Sequence, residues 1–225
     1  MMYKIIKRLI DLIATIVVTI ILSPLLIPVF IALKLTAEGE VFYGQERVGY
    51  KQKRFKILKF ATMLKNSPNI GTGDITLRND PRVTPVGKFL RITKLNELPQ
   101  VFNVLLGDMS LVGPRPLMPV SFEYYPKQVQ DVVYNSIPGI TGIGSLVFRD
   151  EEKLVSEQKE MPHRDFYRHR IYPYKGELEL WYQQNKSTYT DLMIIFLTAY
   201  SIGFKNNKLV YKIFRTLPPS PFKVD

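Results

Sequence analysis

The residues with the means to do chemistry are carboxylates and arginines. They are Glu97, Asp108, Arg115 and the run Arg149-Asp150-Glu151-Glu152, with the amide Asn96 beside Glu97 and with Arg82 and Arg91 near them in sequence. Carboxylates hold Mg²⁺, which bridges diphosphate oxygens, and guanidinium forks match phosphate geometry. The set therefore suits phosphoryl chemistry, although ordinary solvated salt bridges would look the same on residue types alone. Pro114 and Pro116 flank Arg115 and fix the backbone around it. Other chemistries fall away. His163-Arg164-Asp165 has Arg170, not asparagine, five residues on, and there is no glycine-rich ATP loop. His163 and His169 lack the spacing of a metal pair, and Gly71-Thr72-Gly73 lacks the strand-to-helix setting of a phosphate cradle. With no cysteine, neither a disulfide framework nor a thiolate metal site can form.

The elements that must position these residues read as short and mixed. Val41 to Met63 alternates apolar and polar residues in places, with Gly44 and Gly49 as breakers, and predicts one or two strands. Asn66 to Asp80 predicts a loop. Val86 to Ile92 and Glu97 to Leu106 predict helices, the second ended by Gly107-Asp108. Pro119 to Val133 predicts helix broken at Pro126, Pro138 to Gly144 a loop, and Glu151 to Glu160 and Gly176 to Asn185 helices. Asp191 to Phe204 is apolar but too short to span a bilayer. Lys205, Lys208, Lys212 and Arg215 follow it, interleaved with Leu209, Tyr211 and Phe214, in the pattern of an interfacial amphipathic helix.

Leu12 to Leu33 carries no charge and is long enough to cross a hydrocarbon core. It is too long for a signal peptide, and Leu35-Thr36-Ala37-Glu38 is a poor cleavage site. Ser23-Pro24 sits at its centre, with Pro28 beyond. Proline kinks a helix, so the segment either spans with a bend or enters and leaves by one face, with basic residues at both ends. Asp11 lies three residues after Arg8, and the two are expected to pair along the helix. The chain has a formal charge of +11 and needs anionic company. Its basic residues are spread around an apolar anchor and no nucleic-acid-binding motif appears, so nucleic acid is not an expected partner.

From Lys7 onward the chain resembles the bacterial sugar transferases, the monotopic polyprenol-phosphate phosphoglycosyl transferases. The strings that carry the likeness are KRLIDL from Lys7, the Ser23-Pro24 break, QERVGY from Gln45, FKILKF from Phe55, DPRVTPVGKFLR from Asp80, LNELPQ from Leu95, NVLLGDMSLVGPRP from Asn103 and PGITG from Pro138. The resemblance implies an α+β, mostly helical fold. A re-entrant membrane helix-break-helix (1–36) would precede a catalytic domain (37–225) with interfacial helices on the cytoplasmic face of the bacterial inner membrane. It implies transfer of a phospho-sugar from a nucleotide diphosphate-sugar to polyprenol phosphate, initiating a surface glycan. Nucleotide-sugar, polyprenol phosphate and membrane lipid are the implied partners, Mg²⁺ is the implied cofactor, and a homodimer is compatible with the reading. Glu97 inherits the metal-binding carboxylate and Arg115 the phosphate-binding arginine.

Two departures bear on mechanism. The family's nucleophilic aspartate is Asn96 here, and an amide is not a nucleophile of that kind. Attack then falls to Glu97 or one of Asp150, Glu151 and Glu152, or to the polyprenol phosphate directly, or the chain is a non-catalytic membrane partner that binds substrate or organises glycosyltransferases. After PGITG, the string IGSLVFRDEE replaces the usual one, and Ala61-Thr62-Met63 replaces an arginine-bearing one.

Overall fold

The computed structural model describes residues 2–36, 38–70, 80–159, 161–204 and 208–222. Gly71-Thr72-Gly73, most of the loop expected from Asn66 to Asp80, and Lys205 lie outside the described residues. The fold is helical with four short strands among the described residues.

The first element, α1 (Met2–Thr36), is a helix without interruption, with Pro24 and Pro28 inside it. The expected break is therefore not a gap in the helix. Pro24 has no N–H for the carbonyl of Ile20, and the Ser23 hydroxyl donates to that same carbonyl at 2.8 Å, so the acceptor stays satisfied. By length and composition α1 could cross a membrane, yet only 11% of its most apolar window is buried. Ile13, Ile20, Ile27 and Ile31 face outward, while Val29 and Leu33 are buried. A core helix of a soluble protein would be mostly covered, so this apolar face fits membrane association.

A hairpin follows, β1 (Phe42–Val48) paired antiparallel with β2 (Arg54–Phe60) in the register Arg47 opposite Phe55 and Tyr43 opposite Lys59. Next come α2 (Pro85–Ile92) and α3 (Gln100–Leu106). Thr84 caps α2 by accepting from the Gly87 N–H at 3.0 Å, with Pro85 in the first turn. Gly107, at φ +92°, ends α3 in the left-handed conformation that glycine adopts without penalty. The helix expected from Glu97 is really a 3₁₀ turn, Leu95–Glu97, and then α3.

Strand β3 (Ser110–Val112), α4 (Pro119–Phe122) and α5 (Lys127–Val133) come next, the last two divided by Pro126 as expected. Strand β4 (Gly139–Thr141) pairs parallel with β3. The backbones of Gly113 and Gly139 pack so closely that a Cβ on Gly139 would strike the Gly113 nitrogen. Helix α6 (Ile143–Val147) lies where a loop was expected. Helix α7 (Glu151–Glu157) and the short α8 (His163–Phe166) follow, and a π-turn leads into α9 (Tyr172–Asn185), then α10 (Thr188–Gly203) and α11 (Lys208–Ile213).

The main core joins α6, α9, α10 and α11 around Ile143, Ile171, Leu178 and Ile194. A smaller cluster seats the C-terminal half of α1, through Val29 and Leu33, on Val41, Phe60 and Leu90. The N-terminal half docks by polar contacts. Arg8 donates to the carbonyls of Val104 (2.6 Å) and Leu105 (3.0 Å) at the end of α3, and Asp11 accepts from the Leu111 N–H at 3.0 Å. The local Arg8–Asp11 pair is thus replaced by two tertiary contacts, because both side chains face unpaired backbone groups. Lys7 pairs with Asp191 at 2.8 Å, tying α1 to α10. A second correction concerns the C-terminus. Val210 and Phe214 are buried, and Phe214 packs on Trp181 with ring centroids 5.1 Å apart. The described part of the expected interfacial helix, Leu209 and Tyr211 included, therefore packs on the core, while α10 presents exposed apolar side chains through Leu192, Phe196 and Ile202.

Candidate active site

Lys94 adopts a left-handed backbone, φ 61° and ψ 9°, immediately before the 3₁₀ turn that carries Asn96 and Glu97. A non-glycine residue held there marks a segment whose surroundings dictate its shape. Glu97 Oε1 lies 3.6 Å from Arg115 and 3.8 Å from the Lys59 ammonium. Both separations exceed a hydrogen bond, so the cations ring the carboxylate without closing on it.

Arg115 is delivered by the rigid Pro114-Arg115-Pro116 segment. Pro114 O accepts from the Gly139 N–H at 2.9 Å, Pro116 O from Arg47 at 3.1 Å, and Arg115 O from the Tyr134 hydroxyl at 2.8 Å. Arg47, Lys59, Gln100, Arg115 and Pro116 line one small cavity, with Ile57 and Ile140 as its apolar wall. Three cations (Arg47, Lys59, Arg115) thus surround one carboxylate (Glu97), an excess of positive charge suited to a polyanion.

The charges tune one another. Burial pushes the Glu97 carboxyl up, but Arg115 first and then Lys59 overcome it and hold it down at about 2. Burial pushes the Lys59 ammonium down to about 7, against the pull of Glu97. Burial and the neighbouring Arg115 bring Arg47 to about 10, and Glu97 raises Arg115 further.

The remaining expected residues divide. Asn96 is buried beside Glu97, and its Oδ1 has no hydrogen-bond partner. Arg91 meets Glu152 at 3.6 Å. Arg149 is half-buried, with an unpartnered Nη1. Glu151 is bound by Lys175 at 2.7 and 2.8 Å and feels the charge of Arg115. Asp150 is exposed at the start of α7. Arg82 acts as a strut. It is 3% exposed, pairs with Asp80 at 2.6 Å and donates to the carbonyls of Ser67 and Ile70. Arg47, Lys59 and Lys175 were missed as site residues. Strand alternation offered a signal for one of them, since it puts Lys59 on the same face as Ile57.

No group of three or more metal-ligating side chains occurs among the described residues. Mg²⁺ does not require one, since it takes one or two protein oxygens and fills its shell from substrate phosphates and water. The Glu97 carboxylate and the unpartnered Asn96 amide oxygen fit that partial role.

Fold and site together define a class: a mostly helical domain on an apolar helix, with a cation-rich cleft around one carboxylate. The sequence agrees. Residues 2–205 match the bacterial sugar transferase family, and the chain belongs to it. It is 38% identical over 207 residues to the UDP-glucose:undecaprenyl-phosphate glucose-1-phosphate transferase of Klebsiella pneumoniae, covering 90% of this chain and 41% of that one. It is 36% identical over 185 residues to the undecaprenyl-phosphate galactose phosphotransferase of Salmonella typhimurium, covering 76% and 35%. It is 33% identical over 207 residues to the exopolysaccharide production protein ExoY of Rhizobium meliloti, covering 85% and 83%. The chain spans two fifths or less of several curated relatives it matches.

Proposed function

We propose that this protein transfers a phospho-sugar from a nucleotide diphosphate-sugar, a UDP-sugar, to undecaprenyl phosphate. The products are an undecaprenyl diphosphate-linked sugar and a nucleoside monophosphate. The observation that carries the reading is the ionised Glu97 set between Lys59 and Arg115 in a cleft with surplus positive charge. The names of the relatives, which are sugar-phosphate transferases acting on undecaprenyl phosphate, support a catalytic role over a non-catalytic one.

The chain's own residues bind and orient. Arg115, on its proline-braced segment, takes the diphosphate, and the unpartnered Nη1 of Arg149 supports a second contact. Glu97 and Asn96 would hold Mg²⁺, which when bound neutralises charge on the diphosphate oxygens. Asn96 has no carboxylate, Glu151 is bound to Lys175 and Glu152 faces Arg91, which favours direct displacement. A phosphate oxygen of the acceptor attacks the β-phosphorus of the donor. The bond from that phosphorus to the oxygen bridging it to the nucleoside phosphate breaks, and the nucleoside monophosphate leaves with the electron pair.

The apolar helix would sit in one leaflet as a re-entrant element on the cytoplasmic face. Its support is that Arg8 and Leu33, about 37 Å apart in a straight helix, both dock on the same small domain. A radiolabelled transfer assay with undecaprenyl phosphate and a panel of UDP-sugars tests the activity. Mass spectrometry after incubation with donor alone tests the route: turnover without an adduct is expected, and a phospho-sugar on a carboxylate would overturn direct displacement.

A further inference from the structure

The three cations of the cleft are not equivalent in place. On β2, Lys59 is followed by Phe60, which packs with Val29 and Leu33 of α1. Across the ladder it faces Tyr43, itself 44% exposed, and the next rung pairs Phe60 with Phe42. Phe42 stacks on Phe60 at 5.6 Å and meets Phe30 of α1 edge-on at 6.4 Å. Phe30 is on the uncovered side of α1 with Ile27 and Ile31. The Lys59 backbone therefore stands one rung from the apolar anchor, with its side chain on the opposite, cavity-lining face beside Ile57.

Arg47 lies at the far end of the hairpin, opposite Phe55. Four steps of strand separate that rung from Lys59, about 13 Å at the usual rise. Arg47 braces Pro116, and Arg115 is held beside Tyr134 and within the field of Glu151 and Tyr172, all of them beyond the hairpin. Lys59 and Arg115 both approach the same oxygen of Glu97, Oε1, at 3.8 and 3.6 Å. Among the described residues Glu97 is the one ionic partner of Lys59, and at 3.8 Å it leaves the ammonium's donors open.

Resting on the transferase reading above, we propose that Lys59 binds the phosphomonoester of the lipid-borne acceptor, leaving the diphosphate of the water-soluble donor to Arg115. A phosphate tethered to a lipid tail is confined to headgroup depth. The cation one rung from the anchor is the one it meets, and Glu97, whose Oε1 both cations approach, stands beside both bound anions.

The test uses the full chain in lipid nanodiscs containing undecaprenyl phosphate, with the UDP-sugar that supports turnover. In Lys59→Gln the KM for undecaprenyl phosphate rises at least tenfold while that for the UDP-sugar stays within twofold, and Lys59→Arg restores most of the loss. A rise in the donor KM alone, or no change in either, overturns the assignment. A second measurement needs no turnover: binding of a fluorescent short-chain polyprenol phosphate, against the neutral polyprenol and inorganic phosphate. Wild type prefers the lipid phosphate to both, and Lys59→Gln loses that preference. Equal binding of all three by wild type, or a preference unchanged in the variant, overturns the proposal. Lysine-dependent binding with no transfer from any UDP-sugar would keep Lys59 as the lipid-phosphate contact and defeat the transferase reading instead.

Discussion

Glu179 offers a direct physical test of the packing behind the site. It is 2% exposed on α9, and its Oε2 has no hydrogen-bond partner. A Cβ on Gly144 would come within 2.8 Å of its Oε1, so the carboxyl fills space that only glycine leaves open. The nearest cation, Lys175, is already bound to Glu151 at 2.7 and 2.8 Å. Burial consequently dominates and pushes the carboxyl up to about 8, against the opposing pull of the Arg115 backbone N–H and Lys175. The sign follows from proton counting. The unfolded chain titrates this group near 4.5, so between 4.5 and 8 the folded state holds a proton that the unfolded state has released. Stability is full below 4.5, falls as pH rises to 8, and levels off above. At pH 7 the loss is about 3 kcal/mol, from 1.36 kcal/mol per pH unit. Glu179→Gln keeps the shape and removes the titration. The variant should therefore gain on the wild type progressively from pH 5 to 8 and match it near pH 4.5. Denaturant unfolding at several pH values in one detergent measures the difference, and groups common to both proteins cancel. Parallel stability curves across that window would refute the reasoning.

Other outcomes follow from the same contacts. Glu97→Ala should abolish most turnover in the transfer assay while leaving the fold intact by circular dichroism. Arg82→Ala should destabilise the protein by about 3 kcal/mol, since it strands Asp80 in a buried pair, yet leave the KM of any variant still folded unchanged. Arg8→Ala removes two charge-assisted bonds to the end of α3 and should cost about 2 kcal/mol, seen as faster hydrogen exchange over residues 2–12. Asn96→Asp puts a carboxylate beside Glu97, and a donor-derived mass adduct is expected in that variant and not in wild type.

What the sequence made legible was local. Because each depends on a few adjacent residues, Gly107 ended a helix where expected, Pro126 divided α4 from α5, and alternation from Val41 to Met63 gave the strands, though Gly44, expected as a breaker, lies inside β1. What it concealed was tertiary. Ser110 pairs with Gly139 across an intervening stretch of two helices, and no period in the chain announces a parallel pair of three-residue strands. Arg8 and Asp11 are spaced to pair with each other, but orphaned backbone groups of α3 and β3 compete for them and win. The alternation of basic and aromatic residues from Lys208 onward is equally correct for a headgroup helix and for a helix laid on a core, and Trp181 decides it by offering Phe214 a partner.

The site divides along the same line. Arg115 was readable because two prolines rigidify it in sequence, and Glu97 because of the string around it. Arg82 has a structural role that was itself visible: Asp80, two residues earlier, takes its guanidinium in two contacts. Lys59 was hidden because its importance lies in where β2 ends. The strand carries it to the rung beside the one that packs on the anchor helix, and there an ordinary strand lysine becomes a cation beside Glu97. If Lys59 meets the lipid-borne phosphate, the hairpin matters as much as the charges it carries, because it sets Lys59 nearer the apolar helix than Arg47.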